Sequence, residues 1–237
     1  MKSTTHFAMA YILSSTLQKR GIHVNQIAFA YGNIAPDYVP TMIVNPHFGK
    51  VCTKNIDDIT AELSQIPVSK SGCVSAEYSK QLGVICHYIC DYFCFAHNED
   101  FQGNLRDHAK YENKLDSVMR RYWLKLLENG NKSTLTYSAE QDDISKDVDK
   151  IKRDYYAANY THENDLNYAL SACLTAITST VHLSRKKAID LECSTFIDAK
   201  ATKGFATGKC YVYKMFFFKN RNNNIFFIPD LMHPIKA

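Results

Sequence analysis

Apolar residues recur every three to four positions over most of the chain, which is the spacing of one face of an α-helix. This pattern predicts helices over residues 4–19, 54–68, 75–97, 108–128, 139–154 and 162–190. Thr4 or Thr5 is available as the N-cap of the first helix, and Gly21 as its stop. The many charges of residues 139–154 are interpreted as the solvated face of an amphipathic helix.

Two segments depart from this pattern. A short apolar segment at 23–31 runs into residues 31–40, which contain Gly, Asn and two prolines. A rigid loop is predicted there, because proline fixes φ and disfavours helix in the residue before it. Beyond residue 204, aromatic-rich segments flank an Asn-rich polar run, which indicates a hairpin or a loosely packed tail. The predicted fold is therefore an all-α domain over 1–200 followed by an aromatic-rich tail over 201–237.

The segment 82–97 is almost wholly apolar, yet it contains two imidazoles and one carboxylate. Such groups are costly to bury without a partner. His87 and Asp91 are four residues apart, so a helix places them on the same face. The same pair recurs at His108 and Glu112. Repeated imidazole and carboxylate pairs predict a metal site, since zinc is bound by such groups.

Further candidates lie elsewhere in the chain, in the first turn of the first helix and in the proline-containing segments that follow. The complete set of candidate metal ligands is His6, Asp37, His47, His87, Asp91, His97, His108 and Glu112. All are nitrogen or oxygen donors, which suit zinc, with manganese or iron as substitutes. Eight such groups would hold two or three metals, and Asp91 could bridge a pair. Metals about 3.5 to 4 Å apart clamp a phosphate ester, so the residues indicate phosphoester hydrolysis.

Composition and charge narrow the class of protein. The chain is 46% apolar, and its net charge of +4 is scattered, so charge alone does not imply binding to nucleic acid. No signal peptide is recognised, and no run approaches the roughly 18 apolar residues that span a bilayer. A cytoplasmic protein without stable membrane insertion is predicted. Its cysteines, three of them at Cys86, Cys90 and Cys94, are interpreted as reduced thiols that pack as small apolar residues.

Together these motifs resemble the bacterial zinc-dependent phospholipase C family, which is related to the P1-type nucleases. The similarity covers residues 1–190 and rests on His6, Gly32-x-x-x-Pro36-Asp37, His47, the pattern of residues 82–97, and His108-x-x-x-Glu112. It implies an all-helical fold with three zinc ions at the bottom of a cleft. The resemblance further implies one zinc on His47, His87, Asp91 and Asp37, a second on His97, His108 and Glu112, and a third on His6 and the bridging Asp91. It also implies that Asp37 is the general base and that Tyr38 lines the headgroup pocket; extracellular location is possible by the same analogy.

Two positions depart from the family pattern. In secreted members a processed N-terminal residue completes the third site, whereas here five residues precede His6. Either the third metal is weakly bound or absent, or Met1 itself reaches it. Val44 replaces a second pocket aromatic of the family, which bears on choline selectivity. The expected substrate is a phospholipid or another phosphodiester. The alternatives are a nuclease or small-molecule phosphodiesterase on the same site, and a non-catalytic metal-binding helical protein.

Overall fold

A computed structural model describes residues 1–38, 49–128, 144–197, 215–219 and 225–229. Met1–Ile197 and Asp198–Ala237 form two compact units. The helices described in the first unit are α1 (Ser3–Lys19), α2 (Gln26–Tyr38), α3 (Gly49–Ser64), α4 (Ala76–Tyr92), a 3-10 helix (Phe95–His97), α5 (Leu105–Glu128), α6 (Ile144–Ala157) and α7 (His162–Ile197). In the second unit, β1 (Met215–Lys219) pairs antiparallel with β2 (Ile225–Pro229). The all-α prediction is confirmed, and the two strands have the pairing of a hairpin.

Helix α4 forms the centre of the first unit. Every residue from 82 to 91 is buried, including the charged and imidazole side chains. A helix that is apolar on all sides is buried by neighbours on all sides, and α4 packs against α2, α3 and α7. Its start is fixed locally, because the Ser75 hydroxyl accepts a hydrogen bond from the Tyr78 amide at 3.1 Å.

Two glycines bring α2 close to α4. A Cβ atom added to Gly83 would lie 2.2 Å from the Phe29 carbonyl oxygen, and one added to Gly32 would lie 2.0 Å from the Lys80 carbonyl oxygen. Neither position has room for a side chain. This close approach places the last turns of α2 beside the buried centre of α4.

The predicted loop over residues 31–40 is wrong as far as Tyr38, because α2 continues through Pro36. Proline lies in the last turn, where it removes only the hydrogen bond to the Gly32 carbonyl. The packing against α4 outweighs that loss. Residues 39–48 lie outside the described residues.

Other boundaries also differ from the predictions. The first helix has Lys2 as its N-cap, and the predicted caps Thr4 and Thr5 instead donate to Asp116 Oδ1 at 2.6 and 3.2 Å. The central helix ends at Tyr92 rather than at His97. Helix α3 begins and ends earlier than predicted, α5 begins a turn earlier, and α7 extends beyond residue 190. Residues 139–143 lie outside the described part of the chain.

Lys152 contradicts the interpretation of the α6 charges as a solvated face, since only 2% of this residue is exposed. Cys52, Cys73, Cys86, Cys90, Cys94 and Cys173 are free thiols, and the three predicted to pack in the core, Cys86, Cys90 and Cys94, are buried. Among these residues, no helix is both long and apolar enough to cross a membrane.

Candidate metal centre

The first triad consists of His6 from α1 with His87 and Asp91 from α4. Its ligand atoms all lie within 4.8 Å of one another, and all three side chains are buried. His6 Nε2 lies 3.2 Å from Asp91 Oδ1, and His87 Nε2 lies 3.4 Å from Asp91 Oδ2. The predicted i, i+4 pair on α4 is thus completed by a histidine from the start of the chain.

The second triad consists of His97 from the 3-10 helix with His108 and Glu112 from α5. Both histidine Nε2 atoms lie 3.1 Å from the same oxygen, Glu112 Oε1. His97 Nδ1 lies 3.8 Å from Asp91 Oδ2. Since His97 approaches a carboxylate of each triad, the two triads are adjacent.

The amino group of Met1 lies between the triads. It forms an ion pair with Asp91 Oδ1 and lies 3.2 Å from Glu112 Oε1 and 3.3 Å from His97 Nε2. Burial opposes its positive charge, but the carboxylates of Asp91 and Glu112 outweigh burial and raise the pKa of the amino group to about 12. Whether Met1 completes a third site stays a prediction, because the protonated amino group would have to lose its proton before it could bind a metal.

Asn33 orients both histidines of the first triad, although no motif in the sequence predicted this role. His6 Nδ1 donates to the Asn33 side-chain oxygen at 3.2 Å, and His87 Nδ1 donates to the Asn33 carbonyl oxygen at 2.9 Å. Hydrogen bonding of one ring nitrogen leaves the other, Nε2, to face the carboxylate of Asp91. The i, i+4 spacing of Asn33 and Asp37 places both on one face of a helix. This relation was not recognised, because a loop was predicted for residues 31–40.

Electrostatics favour ionised carboxylates in this centre. Burial would raise the pKa of Asp91, but the Met1 amino group and the surrounding histidines hold it well below its usual range. Burial likewise opposes ionisation of Glu112, whereas its contact with His97 and the Met1 charge lower the pKa to about 2. Ionised carboxylates are the forms that bind a divalent cation.

The two buried histidines of the first triad differ in charge. Burial and the neighbouring His6 lower the pKa of His87 well below its normal value, so His87 is neutral. For His6, burial is outweighed by Asp91, which raises the pKa to about 9. The rings stack with their centroids 4.2 Å apart. One neutral imidazole beside one protonated imidazole means that cation binding must release the proton of His6.

Asp37 lies at the edge of the first triad. Its Oδ1 atom is 3.8 Å from His87 Nε2, and its Oδ2 atom accepts a hydrogen bond from Ser3 Oγ at 3.1 Å. The Asp37 side chain is 27% exposed. Tyr38 is 65% exposed, and its hydroxyl lies 3.0 Å from the same Ser3 oxygen. Ser3 therefore links the candidate base to the candidate headgroup contact, a role that no sequence motif predicted.

The eight candidate ligands occupy different places in the structure. Six form the two triads, Asp37 lies at their edge, and His47 is outside the described residues. The resemblance assigned His6 and His87 to two metals bridged by Asp91, and in the structure the two histidines face different oxygens of that carboxylate. Within the part of the chain that the structure describes, buried His6 Nε2 has no hydrogen-bond partner, although it lies 3.2 Å from Asp91 Oδ1. An imidazole nitrogen left in this state among ionised carboxylates fits a metal ligand.

A cavity of about 390 Å³ borders His97, with lining residues from α3 and α6. Its walls are apolar, aromatic and acidic: Thr53, Ile56, Asp57, Tyr92, His97, Asn98, Glu99, Val148, Asp149 and Tyr156. Carboxylates in the wall disfavour a phosphate inside the cavity.

Two adjacent triads of nitrogen and oxygen donors inside a helical bundle define an all-α protein with a candidate zinc centre. The family model described as zinc-dependent phospholipase C matches residues 5–171, which is more than half of the chain. The chain belongs to this family, and the resemblance drawn from the sequence is confirmed. No curated protein and no solved structure matches the chain.

Proposed function

We propose that the protein is a zinc-dependent phosphodiesterase of the phospholipase C type, which hydrolyses a phospholipid to diacylglycerol and a phosphorylated headgroup. The observation that supports this most directly is the convergence of two triads beside Asp91 in a member of this family. Two or three zinc ions would be held by the triads together with Asp37 and His47. When bound, zinc polarises the phosphoryl oxygens and lowers the pKa of bound water.

The chain's own residues supply orientation and proton transfer. Asn33 fixes the ring orientation of His6 and His87, so that their Nε2 atoms face inward. Asp37 is the general base that accepts a proton from the attacking water. It is partly exposed at the edge of the first triad, and Ser3 holds one of its two oxygens. Tyr38 contacts the headgroup from the exposed end of the same helix.

Replacement of Asp37 by Asn tests the proposed base. The variant keeps the shape and one side-chain oxygen but cannot accept the proton, so hydrolysis should fall by about 10² to 10⁴. The assay follows the release of phosphorylated headgroup from short-chain phospholipids and of p-nitrophenol from a model diester. Because Asp37 is also a proposed zinc ligand, bound zinc is measured on the same samples and activities are compared at equal zinc content. Asp58→Asn, the same substitution at an exposed position of α3, is the matched control.

The outcomes separate the rival functions. Full activity of Asp37→Asn would exclude Asp37 as the base. A zinc-loaded wild type that hydrolyses neither diester would support the non-catalytic metal-binding alternative. Faster cleavage of single-stranded DNA or dinucleotides than of phospholipids would support the nuclease alternative.

A further inference from the structure

Asp165 on α7 is a fully buried carboxylate outside both triads. It accepts three hydrogen bonds: from the Phe95 amide at 2.9 Å, from the Tyr111 hydroxyl at 2.9 Å and from the Tyr155 hydroxyl at 2.8 Å. Its three donors belong to three different elements of the fold. Asp165 therefore joins α7 to segments that are distant in sequence.

Two of these donors belong to the elements that supply the second triad. Phe95 begins the 3-10 helix that ends at His97. Tyr111 lies directly before Glu112 on α5. Because one carboxylate binds both elements, it fixes the 3-10 helix relative to α5. The third donor, Tyr155, lies on α6, in which no candidate ligand occurs.

The segment that carries His97 is also held from a second side. The Lys152 ammonium donates to the Tyr92 carbonyl oxygen and, at 3.1 Å, to Asn98 Oδ1. These two acceptors flank the 3-10 helix. Its position therefore depends on buried polar contacts and not only on apolar packing.

We propose that Asp165 is a positioning residue for the second triad. It holds the 3-10 helix against α5 so that His97 and His108 approach the same oxygen of Glu112, and it contacts neither metal nor substrate. Partners that orient ligands from outside a metal site typically change metal affinity by about 10- to 100-fold when they are removed. This proposal rests on the proposed zinc binding but not on hydrolysis.

Tyr111→Phe and Tyr155→Phe form a matched pair that separates positioning from general stabilisation. Each variant keeps the ring and removes one hydroxyl that donates to Asp165. Only Tyr111 lies on a helix that carries triad residues. A purely structural role of Asp165 predicts equal effects on zinc binding, whereas a positioning role predicts an effect in Tyr111→Phe alone.

The test measures the zinc dissociation constants of the full chain by competition with a chromophoric chelator. Because His108→Gln removes a ligand of the second triad, the zinc dissociation constant that changes in this variant is assigned to that triad. We expect Tyr111→Phe to raise that dissociation constant about tenfold. Tyr155→Phe should change it less than about twofold. The constant of the first triad should be unaffected in both. The absorption spectrum of the cobalt(II)-substituted chain should change in Tyr111→Phe only.

Equal weakening in the two tyrosine variants, or no weakening in either, would overturn the positioning role while leaving the proposed function standing. A wild-type chain that binds no zinc would overturn the proposed function and this inference together. Since the two conservative variants retain the Asp165 carboxylate and both rings, the comparison does not depend on the folding of an Asp165 variant.

Discussion

Lys152→Met tests how the protein tolerates a buried charge beside its candidate site. Lys152 is 2% exposed, and its ammonium lies 4.2 Å from the Tyr92 ring centroid and 4.7 Å from that of Tyr155. Burial lowers its pKa from 10.5 to about 8, and the negative charge of Asp165 offsets only part of that effect. Methionine keeps a long apolar side chain but removes both the charge and the hydrogen bonds to Tyr92 and Asn98, so the pH dependence of the difference in stability, and not its absolute size, reports the buried charge.

The size and sign of the effect follow from this pKa shift. The folded pKa lies about 2.5 units below the unfolded value, and each unit corresponds to about 1.4 kcal/mol, which gives roughly 3 kcal/mol. Between pH 8 and pH 10.5 the unfolded chain binds more protons at this lysine than the folded chain, so stability rises with pH. Below pH 8 the cost is present in full. The variant has no such cost at any pH.

Urea unfolding of the metal-free protein at pH 7 and pH 10 measures this difference. The free energy of unfolding of the wild type, relative to Lys152→Met, should increase by about 2 to 3 kcal/mol from pH 7 to pH 10. Other groups that titrate in this range cancel in the comparison. Lys150→Met, at an exposed position of the same helix, should show no such change. An identical pH dependence of wild type and Lys152→Met would refute the reasoning.

Two further predictions concern the contact of α2 with the site. Gly83→Ala places a Cβ atom 2.2 Å from the Phe29 carbonyl, so overpacking should lower the free energy of unfolding by about 1 to 3 kcal/mol; unchanged urea unfolding would contradict the close approach. Asn33→Ala removes the acceptor of His6 but keeps the carbonyl that binds His87. Zinc affinity of the first triad should fall about 10- to 100-fold in chelator competition, and an equal loss at the second triad would contradict the orienting role.

Local sequence features predicted the parts of the fold that depend on neighbouring residues. The start of the central helix near residue 75 and the i, i+4 pairs were predictable because helix geometry fixes which residues share a turn. His87 with Asp91, and His108 with Glu112, accordingly face common points in the structure. The complete ligand set remains a prediction, since His47 lies outside the described residues.

Features that depend on packing between distant segments were missed. The prolines of residues 31–40 indicated a loop, but contact with α4 at Gly32 and Gly83 stabilises a helix that reaches Tyr38. This error concealed Asn33, which orients the histidines only because α2 is helical there. No local sequence feature reveals that distant groups would stabilise a helix over this segment.

The position of His97 was missed for a related reason. An apolar run predicted one continuous helix, whereas the chain leaves α4 after Tyr92 and forms a separate 3-10 helix. At this break the Phe95 amide donates a hydrogen bond to Asp165, and the Lys152 ammonium donates one to the Tyr92 carbonyl oxygen. Both partners come from helices more than fifty residues further along the chain, so local periodicity carries no information about them.

Elemental analysis of purified protein, expressed as zinc per chain, tests the central claim most directly. Two adjacent triads, one containing Asp91 and the other beside it, predict at least two zinc ions per wild-type chain. The His108→Gln variant should bind one zinc ion fewer. A wild type with one zinc or none, or a His108→Gln variant with an undiminished count, would contradict a centre built from both triads.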